Sequence, residues 1–172
     1  MTNLSMRPTT IRDVRHIMTW VNDPEVVKNL QHFNTRFTVA HERAYVAAMR
    51  KSKRDFLFSF FAPDGAYVGQ GGIHQISWEN KLGRLSLVVV KEQWGKGYAQ
   101  VIVPMLMHYA FARLKLHKVW LVAWATNKKN MHLYAKLRFK KEGVLKDEYF
   151  WQGKYHDMVR MRMLSSEFKK PR

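Results

Sequence analysis

The chain has 172 residues and a net charge of +17, from 30 Lys plus Arg against 13 Asp plus Glu, with 47% hydrophobic residues and no cysteine. That length carries one domain with a proper core, and the cysteine count excludes disulfides, thiolate metal ligands and a cysteine nucleophile. No apolar run approaches a membrane span and residues 1–10 are polar, so a soluble cytoplasmic protein is expected.

In chain order, Arg7-Pro8-Thr9-Thr10 leads into Asp13, Val14, Ile17, Met18 and Val21 at helical spacing, which predicts a strand and then an amphipathic helix, broken at Asn22-Asp23-Pro24. A second helix is expected over 39–51, with Tyr45, Val46 and Met49, ending in the basic cluster 50–54. Residues 56–61 and 67–76 read as strands joined at Pro63-Asp64-Gly65, a hairpin signal. A further turn over 79–83 delivers the chain to Leu85-Ser86-Leu87-Val88-Val89-Val90, whose β-branched run suits a strand buried on both faces. These three strands are expected to be antiparallel neighbours.

A helix over about 98–114 and a buried strand over 119–124 follow. Strand, helix, strand is a crossover unit, so strands 85–90 and 119–124 are predicted to run parallel. Pro104 inside the helix removes the hydrogen bond to Gln100, which predicts a kink or an unusual first turn. The chain closes as a hairpin of 143–151 and 154–164 around Gln152-Gly153. It is read as a single domain over 1–172, with 166–172 as a flexible basic tail.

Between strand 85–90 and its helix lies Trp94-Gly95-Lys96-Gly97-Tyr98-Ala99-Gln100. A glycine loop opening a helix is an anion cradle: main-chain N–H groups point outward, and glycine admits a phosphate close to the backbone. Gln100 stands where a dinucleotide fingerprint needs its third glycine, and 115–124 contains no acid to hold a ribose. Gly97 follows Lys96 where a P-loop needs Ser or Thr, so both nucleotide readings fail.

Trp94-x-x-Gly97-x-Ala99 instead resembles the Arg/Gln-x-x-Gly-x-Gly/Ala signature of the GNAT superfamily of acetyl-CoA-dependent N-acetyltransferases. A second segment, Asn127-x-x-Asn130-x-x-Leu133-Tyr134-x-x-Leu137-Arg138-Phe139, resembles that family's Asn-x-x-Ala-x-x-Leu-Tyr-x-x-Leu-Gly-Phe, departing at Arg138, where glycine is usual. The final hairpin over 147–157 is similar to the RimJ/RimL-type and spermidine acetyltransferase branch. The resemblance implies an α/β (α+β) GNAT fold. Its sheet is mixed, mainly antiparallel and six- or seven-stranded, with flanking helices, and is splayed between the two central parallel strands.

By the same resemblance, acetyl-CoA is the co-substrate. Main-chain groups of Val88, Val89 and Val90 serve the thioester carbonyl and pantetheine arm, and Trp94, Gly95, Lys96, Gly97, Tyr98, Ala99 and Gln100 hold the phosphates. Asn127 and Asn130 border the arm, and either also suits a turn or helix cap. Tyr134 is the expected general acid toward the thiolate. With no cysteine for an acyl-enzyme, direct attack by a primary amine in a ternary complex is the economical route. The general base is unassigned: Arg84 stands where many relatives carry a glutamate, and Glu79, Glu148, His74 or a relaying water are alternatives. No metal site is expected, since His41-Glu42 is followed by Tyr45 where a second histidine would stand.

The first 80 residues carry 10 basic and 7 acidic side chains, net +3, and the remainder net +14. One cofactor does not need so much charge, which suggests RNA or ribosome contact, or a generally solvated basic surface. The acceptor is ranked as a protein N-terminus of ribosomal type or an amino-sugar nucleotide, above spermidine, because a polycation is repelled at long range. A non-catalytic coenzyme A or RNA-binding module on the same fold is the competing class. A homodimer is the oligomer considered.

Overall fold

A computed structural model describes residues 3–28, 30 and 35–169. The first strand is β1 (Ser5–Pro8), and the expected first helix is short, α1 (Val14–Ile17) after a 3-10 turn. Asn22-Asp23-Pro24, expected as a break, also starts a helix, α2 (Pro24–Val27): the Asp23 side chain accepts the Glu25 N–H at 2.8 Å and proline occupies the first position, where its missing N–H costs nothing. The second expected helix is α3 (Val39–Lys51), capped by the Thr38 hydroxyl accepting from His41 N–H.

The hairpin of β2 (Phe56–Phe61) and β3 (Tyr67–Ser77) leads to β4 (Leu82–Val89), and all three are antiparallel neighbours as predicted. After α4 (Tyr98–His108) comes β5 (Lys118–Trp124), which pairs parallel with β4. The short α5 (Lys128–Lys136), β6 (Lys140–Trp151) and β7 (Lys154–Leu164) complete a seven-stranded sheet in the order β1-β2-β3-β4-β5-β7-β6. The predicted GNAT-type sheet is therefore present, with β4–β5 as its one parallel pair.

Alternation along the strands divides the core into two. Leu85, Val119 and Leu121 face Ile102 and Leu106 of α4, while Val14, Ile17 and Val46 cover the other side over Tyr67 and Val90.

Three expectations are corrected. β4 is not buried on both faces: Leu85 is buried, but Leu87, Val88 and Val89 are only half-buried, because the strand loses its β5 neighbour beyond Arg84. The helix continues through Pro104 to His108, and its irregularity is a wide turn over Tyr109–Arg113, with Leu114 N–H on Tyr109 O at 3.1 Å. One lost hydrogen bond, about 1 kcal/mol, is outweighed by burying Val103, Leu106 and Met107 around it. The expected flexible tail is docked at its start: Glu167 pairs with Arg162 and Lys140, and the Phe168 ring lies 5.5 Å from Phe111. Residues 170–172 of that tail lie outside the described residues.

At Arg138, where the family motif has glycine, the backbone takes φ 70°, so the left-handed turn is kept and arginine carries its strain.

Candidate active site

β4 and β5 pair only at Leu82–Lys118, Gly83–Val119 and Arg84–Trp120, and then diverge. Beyond that point β4 remains paired with β3 as far as Gly69–Val89, so its other edge faces a gap. Main-chain groups alternate between the two edges of a strand. Val90 N–H donates to Val68 O on the β3 side at 3.0 Å, whereas Val89 O turns to the gap side and accepts Trp94 Nε1 at 2.7 Å. Of the three valines expected along the coenzyme arm, Val89 presents its main chain to the gap, Val88 lies in the β3 ladder opposite Gln70, and Val90 turns its N–H to β3 while its carbonyl accepts Gln93 N–H at 3.0 Å.

The chain then makes a 3-10 turn over Lys91–Gln93 and enters the glycine loop. Gly95 and Gly97 have φ 79° and 77°, with open space where a Cβ would stand. Gly97 caps α4, and its carbonyl accepts Gln100 N–H at 3.0 Å, leaving the Tyr98 and Ala99 amides at the helix head without intrahelical acceptors. The side chains are engaged elsewhere: Trp94 on Val89, Lys96 Nζ on Gln93 Oε1 at 2.9 Å, Tyr98 in the core. A cradle of main chain and glycine at the positive end of an 11-residue helix fits a pyrophosphate.

On the β5 side, Asn127 Oδ1 accepts Asn130 N–H at 3.0 Å and caps α5. Tyr134 sits on α5 against the α4 core, its ring edge-on to Phe139 at 5.6 Å. Burial pushes its phenol up to about 12, so it remains a proton donor throughout the neutral range.

The residues weighed as bases lie elsewhere. His74, lowered from its ordinary value by burial, has Nδ1 3.4 Å from Asp55 and stands opposite Arg84 at the closed end of β4–β5. Glu79 lies in the β3–β4 turn and Glu148 is exposed on β6. Arg84 is stacked 5.6 Å over Trp120, on whose ring Arg160 lies at 4.3 Å.

Two features went unread in the sequence. Glu42 is buried on α3, one turn from Val46 on the same inner face, and desolvation raises its carboxyl. A glutamate four residues before a core valine was the available signal. The second is a cleft of about 320 Å³ between α2 and the β6–β7 hairpin, lined by Pro24, Glu25, Lys28, Tyr149, Trp151 and Gln152. Its back wall is continuous with the end of β5, because Trp124 touches Tyr149, Trp151 and His156 at ring separations of 5.3, 5.8 and 5.1 Å. Among the described residues, the buried Trp124 Nε1 and Gln70 Nε2 have no hydrogen-bond partner.

The chain is similar to known proteins. Spermidine N(1)-acetyltransferase of Vibrio cholerae is 32% identical over 101 residues, 59% of this chain and 58% of that protein. A putative ribosomal N-acetyltransferase, YdaF of Bacillus subtilis, is 28% identical over 106 residues, 62% of this chain. In both, the matched stretch spans 58% of the relative's own length. The crystal structure of the Vibrio spermidine N-acetyltransferase in complex with CoA and spermine superposes with a TM-score of 0.90, covering 95% of this chain and 96% of that one at 24% identity. It shares the fold. A family model described as an acetyltransferase (GNAT) domain matches residues 3–140, and the chain accordingly belongs to the GNAT acetyltransferase family.

Proposed function

We propose that this chain transfers an acetyl group from acetyl-CoA to a primary amine by direct attack while both are bound. The observation that carries this reading is the gap between β4 and β5, with the Val89 edge and the α4 cradle on one side and the α5 tyrosine following the other strand. Acetyl-CoA, when bound, supplies an activated acetyl thioester. The Tyr98 and Ala99 amides and the glycine loop before them would hold its pyrophosphate, and Val89, Asn127 and Asn130 would flank its arm. Tyr134 keeps its proton at neutral pH and donates it from the phenol oxygen to the leaving sulfur. To Glu42, a buried α3 carboxyl raised above its ordinary value by desolvation, we assign the removal of the amine proton.

For the acceptor we favour an N-terminal α-amine of a protein or an amino-sugar nucleotide. Among the described residues lining the cleft the carboxylate is Glu25, already paired with Lys28 at 2.9 Å, and Arg84 and Arg160 lie on the sheet face opposite α4. An α-amine, with pKa about 7.7 to 8.0, also needs less help in deprotonation than an alkylamine near 10. The aromatic rings of Trp124, Tyr149 and Trp151, together with the spermidine-acetylating relatives, favour a polyamine as the second reading. Competition among peptide N-termini, amino-sugar nucleotides and spermidine, followed by coenzyme A thiol release, decides between them. Efficient turnover of spermidine alone overturns the ranking, and coenzyme binding without turnover of any amine identifies a non-catalytic module.

A further inference from the structure

The excess positive charge has a place that the coenzyme does not explain. At the end of the sheet where β4 begins, three segments far apart in sequence are stitched together by main-chain hydrogen bonds. Lys81 O, in the β3–β4 turn, accepts from His117 and Lys118 N–H at 2.8 and 3.2 Å, which brings in the loop before β5. Arg54 O accepts Ile76 N–H at 3.0 Å and Trp78 Nε1 donates to Lys53 O at 2.9 Å, which brings in the loop before β2.

The exposed side chains there are Lys51, Lys53, Arg54, Lys81, Arg113 and Lys115, and among the described residues none of them forms an ion pair. The nearby acids Asp55 and Glu142 are engaged by His74 and by Lys118 and Arg160, which leaves Glu79 as the remaining acid of these loops. In their midst Trp78 is 44% exposed, steadied by its hydrogen bond and by an edge contact with Phe56. At about 3.3 Å per residue, β4 separates this surface from the α4 cradle by roughly 25 Å, so these cations act at a site separate from the coenzyme phosphates.

We propose that this end of the sheet is a docking surface for single-stranded nucleic acid, with the lysines on phosphates and Trp78 stacked on a base. Clustered unpaired cations around one exposed aromatic ring are what a flexible polyphosphate with accessible bases requires. An anionic membrane would need an apolar set to insert, and Trp78 is the one large exposed hydrophobic residue in these loops.

The test uses the full chain and fluorescence anisotropy with labelled single-stranded RNA and DNA of about 20 nucleotides, titrated between about 50 and 200 mM salt. Replacing Lys53, Lys81 and Lys115 together by Gln leaves the stitching intact, because at 53 and 81 it uses main-chain carbonyls. Affinity is expected to fall on the order of tenfold and the salt slope by about 2, at roughly 0.7 per contact, with melting temperature and CoA binding unchanged. A control triple of Arg12→Gln, Arg15→Gln and Lys154→Gln, exposed elsewhere, is expected to bind as wild type. Binding of RNA alone, DNA alone or both supports the surface and identifies its strand. Unchanged affinity in the first variant, equal losses in both variants, or tighter binding to phosphatidylglycerol vesicles than to either strand overturns it.

Discussion

In the proposed reaction Tyr134 donates a proton and Glu42 accepts one, and burial raises both groups. A phenol pushed up to about 12 is a donor that does not titrate in the working range. Tyr134→Phe is therefore expected to lower kcat about 10²-fold or more while CoA affinity and melting stay put, and unchanged kcat at every pH would remove its role. Glu42 has a folded value above its ordinary 4.5. Its stabilising contribution is present below that value and lost as pH rises through the folded one, so at neutral pH the buried carboxylate opposes folding. Glu42→Gln should raise the melting temperature at neutral pH while lowering turnover and abolishing the acidic limb of the kcat profile; full activity would exclude Glu42 as the base. Tyr134 is proposed from the sequence only through the resemblance of Leu133-Tyr134 and its asparagine cap to the family motif. Glu42 is not legible there, because a single charge on a helix ordinarily faces water and only the packing of α3 on the sheet turns it inward.

The loop between β4 and α4 depends on main-chain direction. Gly97 holds φ 77° with nothing near its absent Cβ, so Gly97→Ala meets conformational strain and no clash. It is expected to cost about 1 kcal/mol in stability and to weaken coenzyme binding as the Tyr98 and Ala99 amides are re-aimed, measured by thermal melting and calorimetric CoA titration. Undiminished coenzyme affinity would place the phosphates elsewhere. The same attention to backbone explains where element boundaries moved. Asp23-Pro24 reads equally as the end of one helix and the start of the next, and the cap on Glu25 N–H decides for the start. Pro104 is tolerated because burial on several sides of α4 outweighs one missing bond.

Across the whole molecule, the carboxylates that tie the ends of the chain to the sheet set its acid limit. Arg162 and Lys140 hold Glu167 at about 2, well below its ordinary 4.5, Arg7 helps to hold Asp13 below its usual range against the cost of burial, and hydrogen bonds from Ser52 and Gln75 do the same for Asp55. Stability from groups lowered on folding is present above the unfolded values and lost as pH falls through the folded ones. Circular dichroism is thus expected to show unfolding as pH drops from about 4.5 toward about 2, and Glu167→Gln to move the onset upward in pH. An onset unchanged in that variant would show that the C-terminal tether does not contribute.

The alternation of strands and helices, the two hairpins, the parallel crossover and the glycine loop are readable from the chain alone, because each is written within a dozen or so neighbouring residues as a period of 2 or 3.6 or as a turn signal, whereas the family motifs are readable only by resemblance. The folded chain alone reveals that β4 and β5 part after three residue pairs, and that Val89 rather than Val88 faces the gap. It likewise reveals that α2 and a hairpin more than a hundred residues later enclose one cleft, and that three basic loops meet at one end of the sheet. Those features arise from sheet twist and from contacts between distant segments, which leave no local pattern in the chain.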